Sequence, residues 1–169
     1  MQVTYSLREF QDDDTAFVNG LALAAFKEYR QHYDDWISFS NAIVNMASLA
    51  KTSELIVATV QGKIAGAIAY VGPGKQKADF FPKEWPILRM LVVDPTYRSL
   101  GIGRALTEEC IHMAYRDGAF LIGLHTTKIM KVALSMYERM GFKYRCEAPK
   151  IFGVPYGIYT KELLAQPEH

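Results

Sequence analysis

The stretch Leu91-Val92-Val93-Asp94-Pro95-Thr96-Tyr97-Arg98-Ser99-Leu100-Gly101-Ile102-Gly103-Arg104-Ala105-Leu106 decides how this chain reads. An apolar run stops at Asp94-Pro95, because proline lacks an N–H and biases the preceding residue toward extended backbone. Gly101 and Gly103 follow, and Ile102, Ala105 and Leu106 begin a stripe at helical spacing. Strand, glycine turn and helix thus succeed one another without a spacer. Glycine lets backbone approach a ligand closely, and the first N–H groups of a helix have no partner inside it. With the positive end of the helix dipole, these donors form a site for a phosphate or pyrophosphate. Arg98 and Arg104 flank it with formal charge. Without a ligand, the same residues are an ordinary strand-to-helix connection.

Two well-known phosphate loops do not fit. The run GxxxxGK[ST] is absent from the chain. The dinucleotide fingerprint needs a third Gly or Ala where Leu106 stands, and an acid at the end of the next strand, which here ends His125-Thr126-Thr127.

Working outward, Ile87–Val93 reads as a buried strand, preceded by two apolar runs, Leu55–Val60 and Ile64–Val71, joined by Gln61-Gly62-Lys63 as a hairpin. Upstream lie an alternating strand, Val3–Arg8, and a helix capped from Asp12-Asp13-Asp14 with Phe17, Gly20, Leu21, Ala24 and Ala25 on one face. A second helix is predicted from Trp36, Phe39, Ile43, Met46, Ala47 and Ala50. Downstream, a helix carries Ile102, Ala105, Leu106, Cys110 and Met113, then come a strand Phe120–His125, a helix Met130–Met140 ended by Gly141, and strands at Tyr144–Cys146 and Tyr156–Lys161. The order βααβββαβαββ is a mixed α/β domain, and with no repeat or linker one domain over residues 1–169 is expected.

Half of the 169 residues are hydrophobic and 12% aromatic, which supplies a core and excludes a disordered or collagen-like chain. A net charge of +1 argues against a nucleic-acid partner. The total conceals a split: residues 1–60 carry four basic and eight acidic groups, −4, and residues 61–169 carry fifteen and ten, +5. Cys110 and Cys146 are too few for a disulfide framework or a zinc site, and both read as reduced core thiols. The N-terminus lacks the pattern of a secretory signal, and the most apolar stretch, Leu55–Gly72, is broken by Gln61-Gly62-Lys63. The expectation is a soluble cytoplasmic protein with no membrane partner and no metal.

Leu91-x-Val93-x-Pro95 followed by Arg98-x-x-Gly101-x-Gly103 resembles the acyl-CoA loop of the GNAT N-acetyltransferase superfamily. Ala133-x-x-x-Tyr137-Glu138-x-x-Gly141-Phe142 is similar to that family's second signature, and the element order agrees nearly end to end. The resemblance implies an α/β (α+β) fold: a mixed, mostly antiparallel sheet with a central splayed parallel strand pair and helices on both faces. It implies acetyl-CoA as the acyl-donor cosubstrate and a primary amine, more readily a small molecule than a protein, as acceptor. Main-chain groups of Leu91, Val92 and Val93 would pair with the pantetheine arm. Backbone N–H groups of Arg98, Ser99, Leu100, Gly101, Ile102, Gly103 and Arg104 would hold the pyrophosphate. Tyr137 would protonate the departing thiolate, as a phenol protonated at neutral pH can; by spacing alone it is a half-buried core tyrosine.

The chain also departs from the family pattern. Ile87 stands where many members carry a glutamate base, and Met130 where an asparagine is common. His125 and Glu84 remain as candidate bases, and free deprotonation in solvent would need neither. For the acceptor pocket the resemblance points to Tyr29, Arg30, His32, Tyr33, Asp34, Asp35 and Trp36, with Phe152, Tyr156 and Tyr159. Aromatic walls with a carboxylate would hold an aliphatic amine; alternatively the aromatics are core and Asp34-Asp35 cap a helix. Exposed apolar surface at the closing strands would suit a homodimer. The alternatives are a non-catalytic acyl-CoA binding or sensing module on the same fold, and an interaction protein with only a vestigial loop.

Overall fold

The computed structural model describes residues 3–163. The chain runs β1 (Ser6–Glu9), α1 (Thr15–Phe26), α2 (Trp36–Ile43), β2 (Glu54–Val60), β3 (Lys63–Val71), β4 (Ile87–Val93), α3 (Ile102–Arg116), β5 (Leu121–Thr126), α4 (Lys131–Arg139), β6 (Lys143–Ile151) and β7 (Val154–Glu162). This is the order the spacing predicts. The seven strands form one sheet, β1-β2-β3-β4-β5-β7-β6, antiparallel except for the central pair β4 and β5.

Both faces of the sheet are covered, which is why its central strands read as unbroken apolar runs. In β2, Ile56, Ala58 and Val60 point toward Ile102, Leu106 and Cys110 of α3. The intervening Leu55 and Val57 point the other way, toward Val18, Leu21, Ala22 and Ala25 of α1. That stripe of α1 is displaced from the expected one: Phe17 is 66% exposed, while Val18 and Ala22 are fully buried. The phase is set by an anchor before the helix. The buried Asp14 carboxylate accepts from the Arg8 guanidinium at 2.7 and 3.0 Å and from the Gln11 N–H at 2.9 Å.

The second predicted helix is shorter than its spacing suggests. The helical ladder ends at Ile43, Asn45 N–H reaches back only to Ala42, and Met46–Lys51 is a separate 3-10 turn with Ala50 exposed. Cys110 is buried as expected, but Cys146 is exposed. It lies on β6, an edge strand whose residues are mostly solvent-facing, and apolar sequence context does not reveal that no layer covers it. The Gly72–Lys77 loop is held by its own lysine. The Lys77 ammonium donates to the carbonyls of Gly72, Lys75 and Lys83 at 3.3, 2.8 and 2.7 Å, tying the β3–β4 connection together.

The feature that positions the site is in β4. Between Ala67 and Ala69 of β3 the partners jump from Val92 to Arg89, so β4 carries one extra residue. Met90 sits there with φ +57°, a left-handed backbone unusual for a non-glycine residue. On its other edge β4 is matched to β5 only at Ile87 and Gly123, where the Gly123 N–H donates to Pro86 C=O at 3.0 Å. Beyond that point the two parallel strands diverge.

Candidate active site

The gap between β4 and β5 opens into a cavity of about 340 Å³. Its lining includes Leu88, Arg89, Met90 and Leu91 from β4, Leu124, His125 and Thr126 from β5, and Ala133 and Tyr137 from α4. Phe26, Phe39, Ile43 and Met46 close it from the α1–α2 side, and Phe152 and Tyr156 from the β6–β7 hairpin.

Main-chain direction matters in this gap. Asp94 N–H donates to Ala65 C=O of β3 at 2.8 Å, and alternation along the strand turns Val92 toward β3 as well. The N–H and C=O groups of Leu91 and Val93 therefore face the gap, whereas those of Val92 belong to the sheet. Of the three residues expected to meet an acyl-CoA arm, Leu91 and Val93 face the gap and Val92 does not.

Beyond Val93 the loop enters α3 through two left-handed residues, Ser99 at φ +71° and Gly101 at φ +85°. The first helical bond is Ala105 N–H to Gly101 C=O at 3.0 Å, so the N–H groups of Ile102, Gly103 and Arg104 have no helical acceptor. These are the donors and backbone alternation of an anion-binding nest. The two flanking arginines do not leave their charge free: Arg98 is paired with Glu28 at 2.5 Å and Arg104 with Glu108 at 3.0 Å. Arg98 thereby ties the loop to the 3-10 turn Lys27–His32.

One residue outside the motif makes this geometry available. At Gly66 in β3 a Cβ would lie 2.8 Å from Ile102 Cγ2, 3.2 Å from Leu106 Cδ1 and 3.2 Å from Val92 C=O. The α3 N-terminus rests on a bare backbone. Gly123 has a similar role at the closed end, where Trp85 lies 3.3 Å from the position a Cβ would take. Neither glycine stands in a turn signal, so only the packing reveals them.

Tyr137 is 5% exposed, packs edge-on against Phe142 with ring centroids 5.7 Å apart, and reaches the cavity wall. Its hydroxyl has no hydrogen-bond partner among the described residues, and burial pushes its pKa up, so it remains a proton donor at any physiological pH. His125 is boxed by Phe80, Phe81 and Tyr156, with ring centroids 5.3, 5.8 and 5.4 Å away. Burial, and then the Arg89 charge, hold its pKa down at about 4, so the imidazole is neutral at physiological pH. Glu84 is exposed on the β3–β4 connection and does not line the cavity, and Ile87 is buried at 2% exposure.

The expected acceptor residues divide. Phe152 and Tyr156 line the cavity, and Tyr33 stands behind Tyr156, their hydroxyls 2.5 Å apart. Tyr159 instead belongs to the core beneath α3 and α4. Asp34 and Asp35 are exposed and do not line the cavity; Asp35 caps α2, accepting from Ser38 N–H at 3.0 Å. The anticipated wall carboxylate is therefore missing: Asp35 serves the turn into α2, and the Asp34 carboxylate lies against Gly153 of the β6–β7 hairpin. Among the described residues no group of His, Cys, Asp or Glu is placed to hold a metal, and no helix is long and apolar enough to cross a membrane.

A sheet parted at one parallel pair, with a nest of helix N–H groups beside the opening, defines the architecture of the site. The profile of the Acetyltransferase (GNAT) domain family matches residues 51–144, more than half of the chain, and the chain belongs to that family. It is 32% identical over 88 residues to the N-acetylaspartate synthetase of Xenopus tropicalis, a match covering 52% of this chain and 30% of that protein. The matched segments span between 30% and 61% of the curated relatives' lengths. A GCN5-related N-acetyltransferase from Rhodopseudomonas palustris shares the fold with a TM-score of 0.75 at 19% identity, over 96% of this chain and 99% of that one. A Salmonella typhimurium chain solved with its cofactor acetyl-CoA superposes with a TM-score of 0.71 at 16% identity, over 97% of this chain and 96% of that one.

Proposed function

We propose that this protein is an acetyl-CoA-dependent N-acetyltransferase that transfers the acetyl group to a primary amine by direct attack within a ternary complex. The observation that carries this reading is the parting of β4 from β5 beyond Ile87 and Gly123, which leaves Leu91 lining a cavity that Tyr137 also lines, with the Val93 main chain facing the same gap. The pantetheine arm would lie along those main-chain groups, with its pyrophosphate on the N–H groups of residues 98–104. At that nest the backbone supplies the donors, since Arg98 and Arg104 already hold carboxylates.

The acceptor nitrogen attacks the thioester carbonyl carbon, and the developing oxyanion accepts from the Leu91 N–H. The C–S bond breaks as the Tyr137 hydroxyl donates to the departing sulfur. The amine gives up its proton through neutral His125 to solvent, and a proton returns to Tyr137, so acetyl-CoA and amine become amide and free thiol. With its pKa near 4, His125 cannot store a proton taken from an ammonium. It acts as an acceptor and relay, and the amine must enter the cavity neutral. Proximity in a water-poor cleft supplies most of the acceleration.

The test is free-thiol release from acetyl-CoA across an amine panel, with calorimetry of acetyl-CoA binding alongside. Binding with thiol release by some acceptor is the expected result. Binding with no turnover by any amine would identify the non-catalytic sensing module instead, and the absence of binding would leave an interaction protein on this fold.

A further inference from the structure

Arg89 is a charge without a partner. It lies on β4 opposite Ala69, one residue before the left-handed Met90, and its side chain lines the cavity between β4 and β5. It is half-buried, and among the described residues it makes no hydrogen bond or ion pair. Arginine is almost never buried unpaired, because a desolvated guanidinium without an anion costs several times more than an exposed one. The desolvation is evident in its own pKa, which burial lowers, with no nearby carboxylate acting against it. By contrast, Arg8, Arg98, Arg104 and Arg116 each hold a carboxylate within 3.0 Å.

Among the described residues, Arg89 is also the only charged one in the cavity lining, whose other members are apolar, aromatic or neutral polar. No acid there recruits a cation. The cavity's fixed charge has the sign opposite to the one that would attract an ammonium. A positive field also favours the neutral amine over its protonated form, which direct attack requires.

We infer that the acceptor carries a carboxylate as well as its amine, and that Arg89 binds this carboxylate: the substrate class is a free amino acid or short amino carboxylate with an apolar body. This inference rests on the N-acetyltransferase reading above. The geometry separates this anion site from the cofactor's phosphates. Arg89 lies four residues before Val93, roughly 13 Å along an extended strand, and the 98–104 loop begins beyond that. It lies only two residues before Leu91, beside which the reacting carbonyl would sit. That is the short spacing an amine and carboxylate on one carbon require. A guanidinium suits a planar carboxylate because it can donate two parallel hydrogen bonds. Phe39, Phe152 and Tyr156 would flank the acceptor's body, and a volume of about 340 Å³ suits a small molecule.

The experiment pairs each of a set of apolar amino acids with its decarboxylated amine, for example leucine with isoamylamine and phenylalanine with phenethylamine, and measures thiol release from acetyl-CoA. The amino acids should show kcat/KM values about 10- to 100-fold above their amine partners, as expected for one charged hydrogen-bonded contact. Arg89→Met should collapse that ratio toward one by lowering the amino-acid values, and Arg89→Lys should restore part of it. Removing an unpaired buried cation should leave the Arg89→Met thermal midpoint at or above the parent's, which separates a binding role from a structural one. Amines acetylated as well as amino acids, a ratio indifferent to Arg89, or a preference for succinyl-CoA over acetyl-CoA with simple amines would each overturn the inference. The last outcome would assign Arg89 to the acyl group. Peptides turned over in preference to free amino acids would overturn it too, since their reactive end bears no carboxylate. If acetyl-CoA binds but neither panel nor any peptide releases thiol, the N-acetyltransferase reading itself fails.

Discussion

Replacing Gly66 by alanine should disable acetyl-CoA binding from a position with no part in the cofactor loop's chemistry. The added methyl would meet Ile102 Cγ2 at 2.8 Å, closer than carbon atoms pack, and both Leu106 Cδ1 and Val92 C=O at 3.2 Å. Val92 is fixed in the sheet and Ile102 is 1% exposed, so neither side can yield by rotating into solvent. Relief requires the first turn of α3 to rise by several tenths of an ångström, which carries the Ile102, Gly103 and Arg104 N–H groups off their anion position. Overpacking of this kind costs about 1–3 kcal/mol. For a chain of this size that is a fall of roughly 3–10 °C in thermal midpoint. Calorimetric titration should then show acetyl-CoA affinity reduced, while the acceptor's KM at saturating acetyl-CoA stays near the parent value. The double variant Gly66→Ala with Ile102→Ala removes the closest contact and should recover part of the affinity. A Gly66→Ala protein with unchanged midpoint and unchanged acetyl-CoA affinity would refute the claim that α3 docks through this contact.

Three further outcomes follow from the same geometry. Tyr137→Phe should keep the fold, since the hydroxyl has no protein partner, but lower kcat by about 10²-fold or more with little change in acetyl-CoA affinity, read from thiol release and calorimetry; full turnover would remove Tyr137 from the mechanism. Because the folded state holds His125 near pKa 4 against an ordinary value of 6.5, the unfolded chain binds the extra proton between these values. Stability should therefore fall by up to about 3 kcal/mol as pH drops from 6.5 toward 4, and the loss should be much smaller in His125→Gln, measured by denaturant melts at each pH. Asp14, held below the ordinary carboxylate range by the Arg8 guanidinium, loses its contribution only as pH falls further, so the two windows separate. The paired variants Gly101→Ala and Gly103→Ala should differ in sign. The first places a Cβ at φ +85° and should cost about 1 kcal/mol, while the second gains only ordinary contacts at 3.6–3.8 Å and helix propensity, so it should be neutral or stabilising in a melt.

Local chemistry explains what could be read without coordinates. Strand β4 was legible to the residue because an apolar run stopped by Asp94-Pro95 has no other reading, and the N-terminus of α3 was legible because Gly101 and Gly103 precede a clean helical stripe. Misreadings fell where a neighbour overrides local pattern. The face of α1 turned by one position because the buried Asp14–Arg8 pair sets its phase. Asp34 and Asp35 read either as a cation-binding wall or as helix caps, and the structure gives Asp35 the cap and leaves both exposed. The sequence offered His125 as a candidate base, and its neutral state could not be read there, because burial among three aromatic rings and then the Arg89 charge lower its pKa.

By itself, the sequence determined the element order, the glycine turn with its free helix N–H groups and the family, because all three depend on residue types at fixed spacings along strands, turns and helices. The tertiary structure alone decided where β4 leaves β5, which main-chain groups face the gap, and which charge the cavity keeps. Those depend on a left-handed residue in mid-strand at Met90, on bare backbone at Gly66 and Gly123, and on an arginine with no acid to meet it. A contact between elements distant in the chain leaves no period in the sequence, so the charge that the cavity keeps is visible only once the sheet is assembled.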